Sequence, residues 1–253
     1  MKDQTQSAGV AGSQTLMRGL DVIEAVAGGT TTLAALAESL GLTRSTAHRL
    51  ASSLVERRYL AFTPRSGYRL GAKLLELGHL AQDAADLVQV ARPHLEALAD
   101  TTEDTVHLGI LDGDHALYLD KVPGRRRINI SSRVGERQPL SSTGLGKALM
   151  IDHPRDYWEA RFAAEQRGDA AIWLSRMAGY ASAGRAFDLE ENEDQIRCVA
   201  APVRDARGRL VGAISVSSAA QYMSDDRMEA LSNDVITVAD AISADLGWTR
   251  GEP

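Results

Sequence analysis

Hydrophobic residues in this sequence change their period at Val106. Before that point they recur every three or four residues, the spacing that lines one face of an α-helix. After it they alternate, the spacing of a β-strand with one buried face. A 253-residue chain patterned this way is expected to fold as two modest domains, helical first and mixed α+β second.

The first part resolves into short capped pieces. Leu16, Leu20, Val22, Ile23 and Val26 predict an amphipathic helix that stops at Gly28-Gly29. Thr32 suits the N-cap of a second helix, with Leu33, Leu36, Ala37 and Leu40 inward and Gly41 as its stop. Thr43 caps a third helix running to about Arg58, with Ala47, Leu50, Ala51 and Leu54 on one face and Ser45, His48, Arg49 and Ser52 on the other. A hairpin follows, Tyr59–Phe62 and Tyr68–Leu70 around Pro64-Arg65-Ser66-Gly67. Helix, turn, helix and hairpin outline a winged helix-turn-helix, whose third helix enters the DNA major groove.

Charge supports that outline. The net charge of −6 argues against nucleic acid, yet residues 1–70 hold 8 Lys/Arg against 5 Asp/Glu, while the rest hold 20 against 29. Local charge decides whether phosphates are attracted. Arg44 and Arg49 can reach guanine edges, and His48 a base or a phosphate. Thr43, Ser45 and Thr46 sit where a helix N-terminus favours phosphate, and Arg65 lies at the wing tip. The plainer alternative is a helical bundle with a solvated basic face, and Arg57 and Arg58 are explained as well by capping the helix C-terminus.

Residues 73–100 are predicted helical and connect the two parts, with Pro93 opening a new helix. Val106, Leu108 and Ile110, the Asp112-Gly113 turn, then Leu117 and Leu119 predict a hairpin. Strands over 198–203 and 210–217 flank the turn Asp205–Gly208, and a helix from Ser224 to about Leu246 ends the pattern. The charged stretch 154–196 gives no clear period.

Chemistry-bearing motifs in the second part are few. Ser142-Thr-Gly-Leu-Gly-Lys147 is not a phosphate-binding P-loop, which needs glycine at Ser141 and Ser or Thr at Ala148. It is either a turn whose backbone N–H groups hold a carboxylate or a turn alone. Ser215 and Ser217 face one side of a strand, toward a cavity or toward water. Cys198 is the single cysteine, which excludes an intramolecular disulfide and a multi-cysteine metal site. No histidine stands near it in sequence, so a buried structural thiol is expected, with no catalytic residue, metal or cofactor. No apolar run of about 18 residues suggests a membrane span. Residues 1–12 read as a disordered tail without a secretory core, and the cytoplasm is the expected compartment.

The stretches Leu42-Thr-Arg-Ser-Thr-Ala-His-Arg-Leu50, Tyr68-Arg-Leu-Gly71, Ser142–Ala148, Cys198-Val-Ala-Ala-Pro-Val203 and Gly212-Ala-Ile-Ser-Val-Ser217 resemble, in order, the IclR family of transcription regulators. The likeness runs from about Leu16 to about Leu246. It implies a winged helix-turn-helix over 13–72, a linker helix over 73–90 that transmits the signal, and a GAF-like α/β effector domain over 91–250. It also implies double-stranded operator DNA and a small-molecule effector as partners, and a homodimer formed through head and linker, or a dimer of such dimers. Effector contacts are implied at Gly144, Leu145, Asp188, Cys198, Ser215 and Ser217, beside Thr143 of the same turn. Gln195 departs from the family, which usually has glycine there, so the pocket rim is expected to turn differently. The function implied is a regulator, more often a repressor, answering to a small carboxylate. A sugar acid or keto-deoxy sugar acid fits if Asp188 faces the hydroxylated end of the ligand and does not merely cap a local turn. The alternatives are an aromatic acid stacked on Phe187, or an enzyme with a DNA-binding appendage.

Overall fold

A computed structural model describes residues 13–84, 86–127, 130–165 and 168–249. The expected tail 1–12 lies outside the described residues. Two compact units meet in sequence at Ala84 and Ala85.

The first unit holds helices α1 (Ser13–Ala27), α2 (Leu33–Ser39) and α3 (Arg44–Glu56), strands β1 (Leu60–Thr63) and β2 (Gly67–Leu70), and helix α4 (Ala72–Ala84). The caps form as the sequence predicts: Thr32 Oγ1 accepts the Ala35 N–H, and Thr43 Oγ1 the Thr46 N–H. Each satisfies an otherwise orphaned donor of the first turn. Val22, Val26, Leu36, Leu50, Ala51, Leu60 and Tyr68 make the core. The β1–β2 hairpin is tied to the loop before α2, because Tyr68 N–H donates to Thr31 O at 2.7 Å. Gly67 makes that approach possible: a Cβ there would lie 2.1 Å from Thr31 O, and its φ is +81°. This is a winged helix-turn-helix.

The second unit starts with α5 (Leu87–Thr102) and then forms β3 (Thr105–Asp112), β4 (His115–Val122) and β5 (Arg137–Pro139). Helices α6 (Gly144–Leu149), α7 (Arg155–Glu165) and α8 (Ala170–Ala183) follow, then β6 (Ala186–Leu189), β7 (Ile196–Arg204), β8 (Leu210–Ala219) and α9 (Asp225–Asp245). The strands form one sheet in the order β5-β4-β3-β8-β7-β6, with every pairing antiparallel. Two cores lie against it. Leu95 and Leu98 of α5 pack with Met228, Leu231, Val235 and Ile242 of α9 onto Val106, Leu108, Ile214 and Val216. Leu145 and Leu149 of α6, with Trp158, Phe162, Trp173 and Met177 of α7 and α8, pack onto Ala200 and Ala213. Each such side chain stabilises by about 1.5–3 kcal/mol on burial. Among the described residues no helix is long and apolar enough to cross a membrane.

Two sequence expectations need correction. Pro93 lies inside α5, which begins six residues earlier at Leu87 because Asp86 Oδ1 accepts the Val88 N–H at 2.9 Å. The cap sets the start, and packing of Leu95 and Leu98 outweighs the backbone bond that proline forgoes. Residues 73–90 are accordingly not one continuous helix, since α4 ends at Ala84. The second correction concerns β3, whose first five residues are all buried. As a central strand it is covered on both faces, so its alternation sorts residues between two cores and not between core and water.

Candidate DNA interface and ligand cleft

Helix α3 presents Arg44, Ser45, His48 and Arg49 to solvent, opposite the buried Ala47, Leu50 and Ala51. Thr43 is exposed and Thr46 half-buried; their hydroxyls lie 2.9 Å apart, and Ser45 Oγ is 3.1 Å from Thr43 Oγ1. Arg44 is the first residue of the helix, and no acidic residue occupies the first turn. A cation there opposes the helix dipole, so it does nothing for helix stability and suits a surface that meets an anion. Arg65 is exposed at the tip of the β1–β2 turn with φ of +75°. The structure therefore brings Thr43, Arg44, Ser45, Thr46, His48 and Arg49 onto one helical surface, with Arg65 on the hairpin. Arg58 behaves differently: it pairs with Glu76 of α4, in keeping with a structural role.

The second unit contains a small cleft, partly open to solvent. Strand register builds its floor. Thr105, Ser217, Cys198 and Asp188 face one another in a row across β3, β8, β7 and β6. Thr143, Gly144, Asp188, Cys198 and Ser217 line the cleft. Gly144 rests on this row: a Cβ there would stand 2.8 Å from Cys198 Sγ and 3.2 Å from Asp188 N. Leu145 does not line the cleft; it is fully buried and packs toward Gly109 of β3. Ser215 is buried beside the cleft on the same strand face as Ser217. Ser217 faces the cleft, whereas Ser215 is buried without lining it.

Asp188 does two things at once. It lines the cleft, and its Oδ1 accepts the Glu191 N–H at 2.8 Å. Burial pushes its carboxyl up to about 6, with Lys147 pulling the other way. Burial likewise raises the Cys198 thiol to about 11, aided by Asp188, so the sulfur stays protonated at neutral pH. Lys147 is 1% exposed, bonded to Glu191 and, at 2.9 Å, to Phe187 O. It braces the 188–191 loop from beneath and does not reach toward a phosphate. Phe187 packs with Tyr180 and under Arg185, away from the cleft.

Other cleft residues escaped the motif reading: His107, Tyr118, Ser131, Ser132, Gln138, Asn192 and Glu193. His107 Nε2 lies 2.7 Å from Ser132 Oγ, and its ring sits 4.9 Å from that of Tyr118. Alternation along β3 could have found His107, since Val106 and Leu108 point to the α5–α9 core. The rim at Gln195 keeps a left-handed turn, φ +61°, despite lacking glycine. Gln195 N–H donates to Glu190 Oε2 at 3.2 Å and Gln195 O accepts the Ala220 N–H at 2.7 Å, which hold that conformation.

The family model for the bacterial transcriptional regulator IclR C-terminal domain matches residues 79–244, and that for the IclR helix-turn-helix domain residues 15–64. The chain is 32% identical to the DNA-binding transcriptional repressor YiaJ of Escherichia coli, across 94% of this chain and 90% of that one. It is also 32% identical to the HTH-type transcriptional regulator XynR of the same organism, across 84% and 88%. The crystal structure of Pseudomonas aeruginosa HmgR superposes with a TM-score of 0.84 at 23% identity, covering 94% of this chain and all of that one.

Proposed function

This chain belongs to the IclR family of DNA-binding transcriptional regulators, and from that premise we propose that it is a repressor released by a hydroxylated carboxylate, of which a sugar acid or keto-deoxy sugar acid is the natural type. Arg44 and Arg49 read base edges, Thr43, Ser45, Thr46 and His48 hold phosphates, and Arg65 adds a backbone contact from the wing. Two copies bind a two-fold operator, since one winged unit covers a single half-site. The resemblance to a named repressor supports the sign of regulation.

The observation that carries the ligand reading is the lining of the cleft. Ser131, Ser132, Thr143 and Ser217 offer hydroxyls, Gln138 and Asn192 amides, and Asp188 a carboxyl. Such a wall matches a ligand that is itself polar along its length. Gly144 lies against the Asp188 backbone, so Asp188 stands beside the glycine turn. With its carboxyl raised to about 6, Asp188 can keep a proton beside a ligand carboxylate and donate it as a hydrogen bond. Ligand uptake is then linked to proton uptake, and affinity for a sugar acid falls as pH rises above about 6. A second reading, an aromatic acid, draws support from the His107–Tyr118 ring pair in the wall.

Fluorescence anisotropy on DNA upstream of its own gene, with gluconate and benzoate series added, tests the proposal. Sugar acids should release the DNA, and the heat of gluconate binding should vary with buffer ionisation as protons are taken up. Release by benzoates alone would replace the sugar-acid reading with the aromatic one.

A further inference from the structure

Behind the α6 side of the cleft lies a full positive charge. Lys147 is 1% exposed, on a helix whose residues are all buried. A lysine is seldom buried so fully unless it is paired, and a buried pair adds little stability over apolar side chains of the same volume. Its ammonium has three donors, and all are taken: by Phe187 O at 2.9 Å, Ser142 O at 3.4 Å and the Glu191 carboxylate. Each partner immediately precedes a residue of the cleft wall, Asp188, Thr143 and Asn192 respectively. Lys147 itself does not line the cleft. It has no donor to spare for a ligand, yet it ties the glycine turn, β6 and the rim loop to one point.

We propose that Lys147 is the positioning residue of the effector cleft, holding its three walls at fixed spacing and supplying the positive charge that they share. This rests on reading the cleft as the effector site and names the group that keeps that site in shape. Geometry carries the first half. Without the ammonium, Thr143, Asp188 and Asn192 lose their common anchor, and a ligand bound to all three loses register. Asp188 Oδ1 still accepts the Glu191 N–H at 2.8 Å, and Ser142 Oγ still donates to Asn192 Oδ1 at 3.2 Å, so the walls shift without coming apart. Charge carries the second half. Asp188 is faced by Lys147 from α6, Glu191 from its own loop, Cys198 from β7, Tyr118 from β4 and Tyr180 from α8. Arg176 lies beyond Glu191, 3.4 Å from its carboxylate, and His107 and Glu193 complete the titratable lining. The thiol and both phenols stay protonated at neutral pH, and burial holds His107 neutral, its pKa down at about 3. Burial raises the Asp188 carboxyl to about 6 and Glu191 adds to the rise, while Lys147 and the N–H groups of Glu191 and Asn192 oppose it. Removing the Lys147 charge therefore lets Asp188 keep its proton to higher pH.

The test uses the full chain with Lys147→Met, and with Lys147→Met/Glu191→Gln, which strands neither charge. The double variant should melt within about 3 °C of the unsubstituted protein. Adding Asp188→Asn should raise melting over the parent by an amount that grows with pH until Asp188 is fully ionised. That gain should level off near about pH 7 with Lys147 present, and about one pH unit higher in Lys147→Met. An unmoved levelling point would mean a brace without electrical influence and overturn the proposal. Titration calorimetry with D-gluconate at pH 5, where Asp188 is largely protonated in either protein, should show about 10-fold weaker binding in the double variant. Equal affinity there would overturn the proposal while leaving the cleft as an acid site. Melting lowered by more than about 5 °C in the double variant would make the pair structural and overturn it as well. If the unsubstituted protein binds no gluconate, the sugar-acid reading fails, and the two melting comparisons alone decide for or against Lys147.

Discussion

The two units place their chemistry in opposite ways. In the first, the candidate DNA-contacting groups sit on one exposed helical surface and a hairpin tip, with the core behind them. In the second, the candidate ligand-contacting groups are drawn from all six strands, β3 to β8, the α6 turn and the loops at 130–132 and 192–193, and most are buried. A duplex is large, rigid and anionic, so it is met by an outward charged surface. A small polar molecule is met by enclosure, where water is excluded and each unpaired atom counts. The lesson is that stability and recognition separate cleanly in the first unit and are entangled in the second.

The largest effect should come from breaking each unit alone. Leu36→Ala removes a fully buried side chain from the small first core and should cost about 2–5 kcal/mol, while Met177→Ala does the same to the second. Calorimetry should show Leu36→Ala lowering one transition and abolishing DNA binding while gluconate still shifts the other. Loss of both functions in either variant would deny that the units are separable.

Next come the outward groups. Arg44→Ala and Arg49→Ala should each weaken operator binding by about 1–3 kcal/mol with little change in melting, whereas Arg65→Ala should weaken all DNA alike and flatten its salt dependence. Unchanged curves on operator and scrambled DNA would remove α3 from the interface.

Entanglement in the second unit predicts a smaller, pH-dependent effect. Asp188 carries a folded pKa of about 6, above its ordinary 3.8. Its contribution to stability is fully present below 3.8 and is lost as pH rises through about 6. Asp188→Asn keeps an acceptor for the Glu191 N–H and carries no charge to bury. Its melting temperature should therefore gain on that of the unsubstituted protein by several degrees between pH 4 and 7. A difference that stays flat with pH would show that the carboxyl is not desolvated.

The smallest effect concerns the rim. Gln195→Gly relieves a side chain from φ of +61°, offset in part by the greater freedom of glycine when unfolded, and should stabilise by about 0.5 kcal/mol. Destabilisation would mean that the Gln195 side chain itself holds the turn.

The same contrast explains what could be read from the sequence. Residues on α3 are neighbours in the chain, and the helical repeat collects them on one surface, so Thr43 to Arg49 were legible from spacing and capping alone. The cleft depends on register: Asp188, Cys198, Ser217 and Thr105 meet only because four strands pair at one offset. No local pattern encodes that offset, and the family likeness supplied what spacing could not. Alternation along β3 already sets His107 on the face opposite Val106 and Leu108, but only the folded sheet shows that this second face is also buried and borders the cleft. Helices α7 and α8 were illegible because their apolar residues are not concentrated on one helical face. Their indoles are committed to distant carbonyls, Trp158 Nε1 donating to Met150 O at 2.7 Å and Trp173 Nε1 to Ser141 O at 2.8 Å. The start of α5 was misplaced at Pro93 because proline favours the first turn of a helix, whereas a side-chain cap at Asp86 sets the start.

The sheet of the second unit separates two cores, and only one of them adjoins the cleft. Substitutions on the α6 side can therefore reshape the cleft wall, while the α5–α9 core on the far face of the sheet holds the architecture in place.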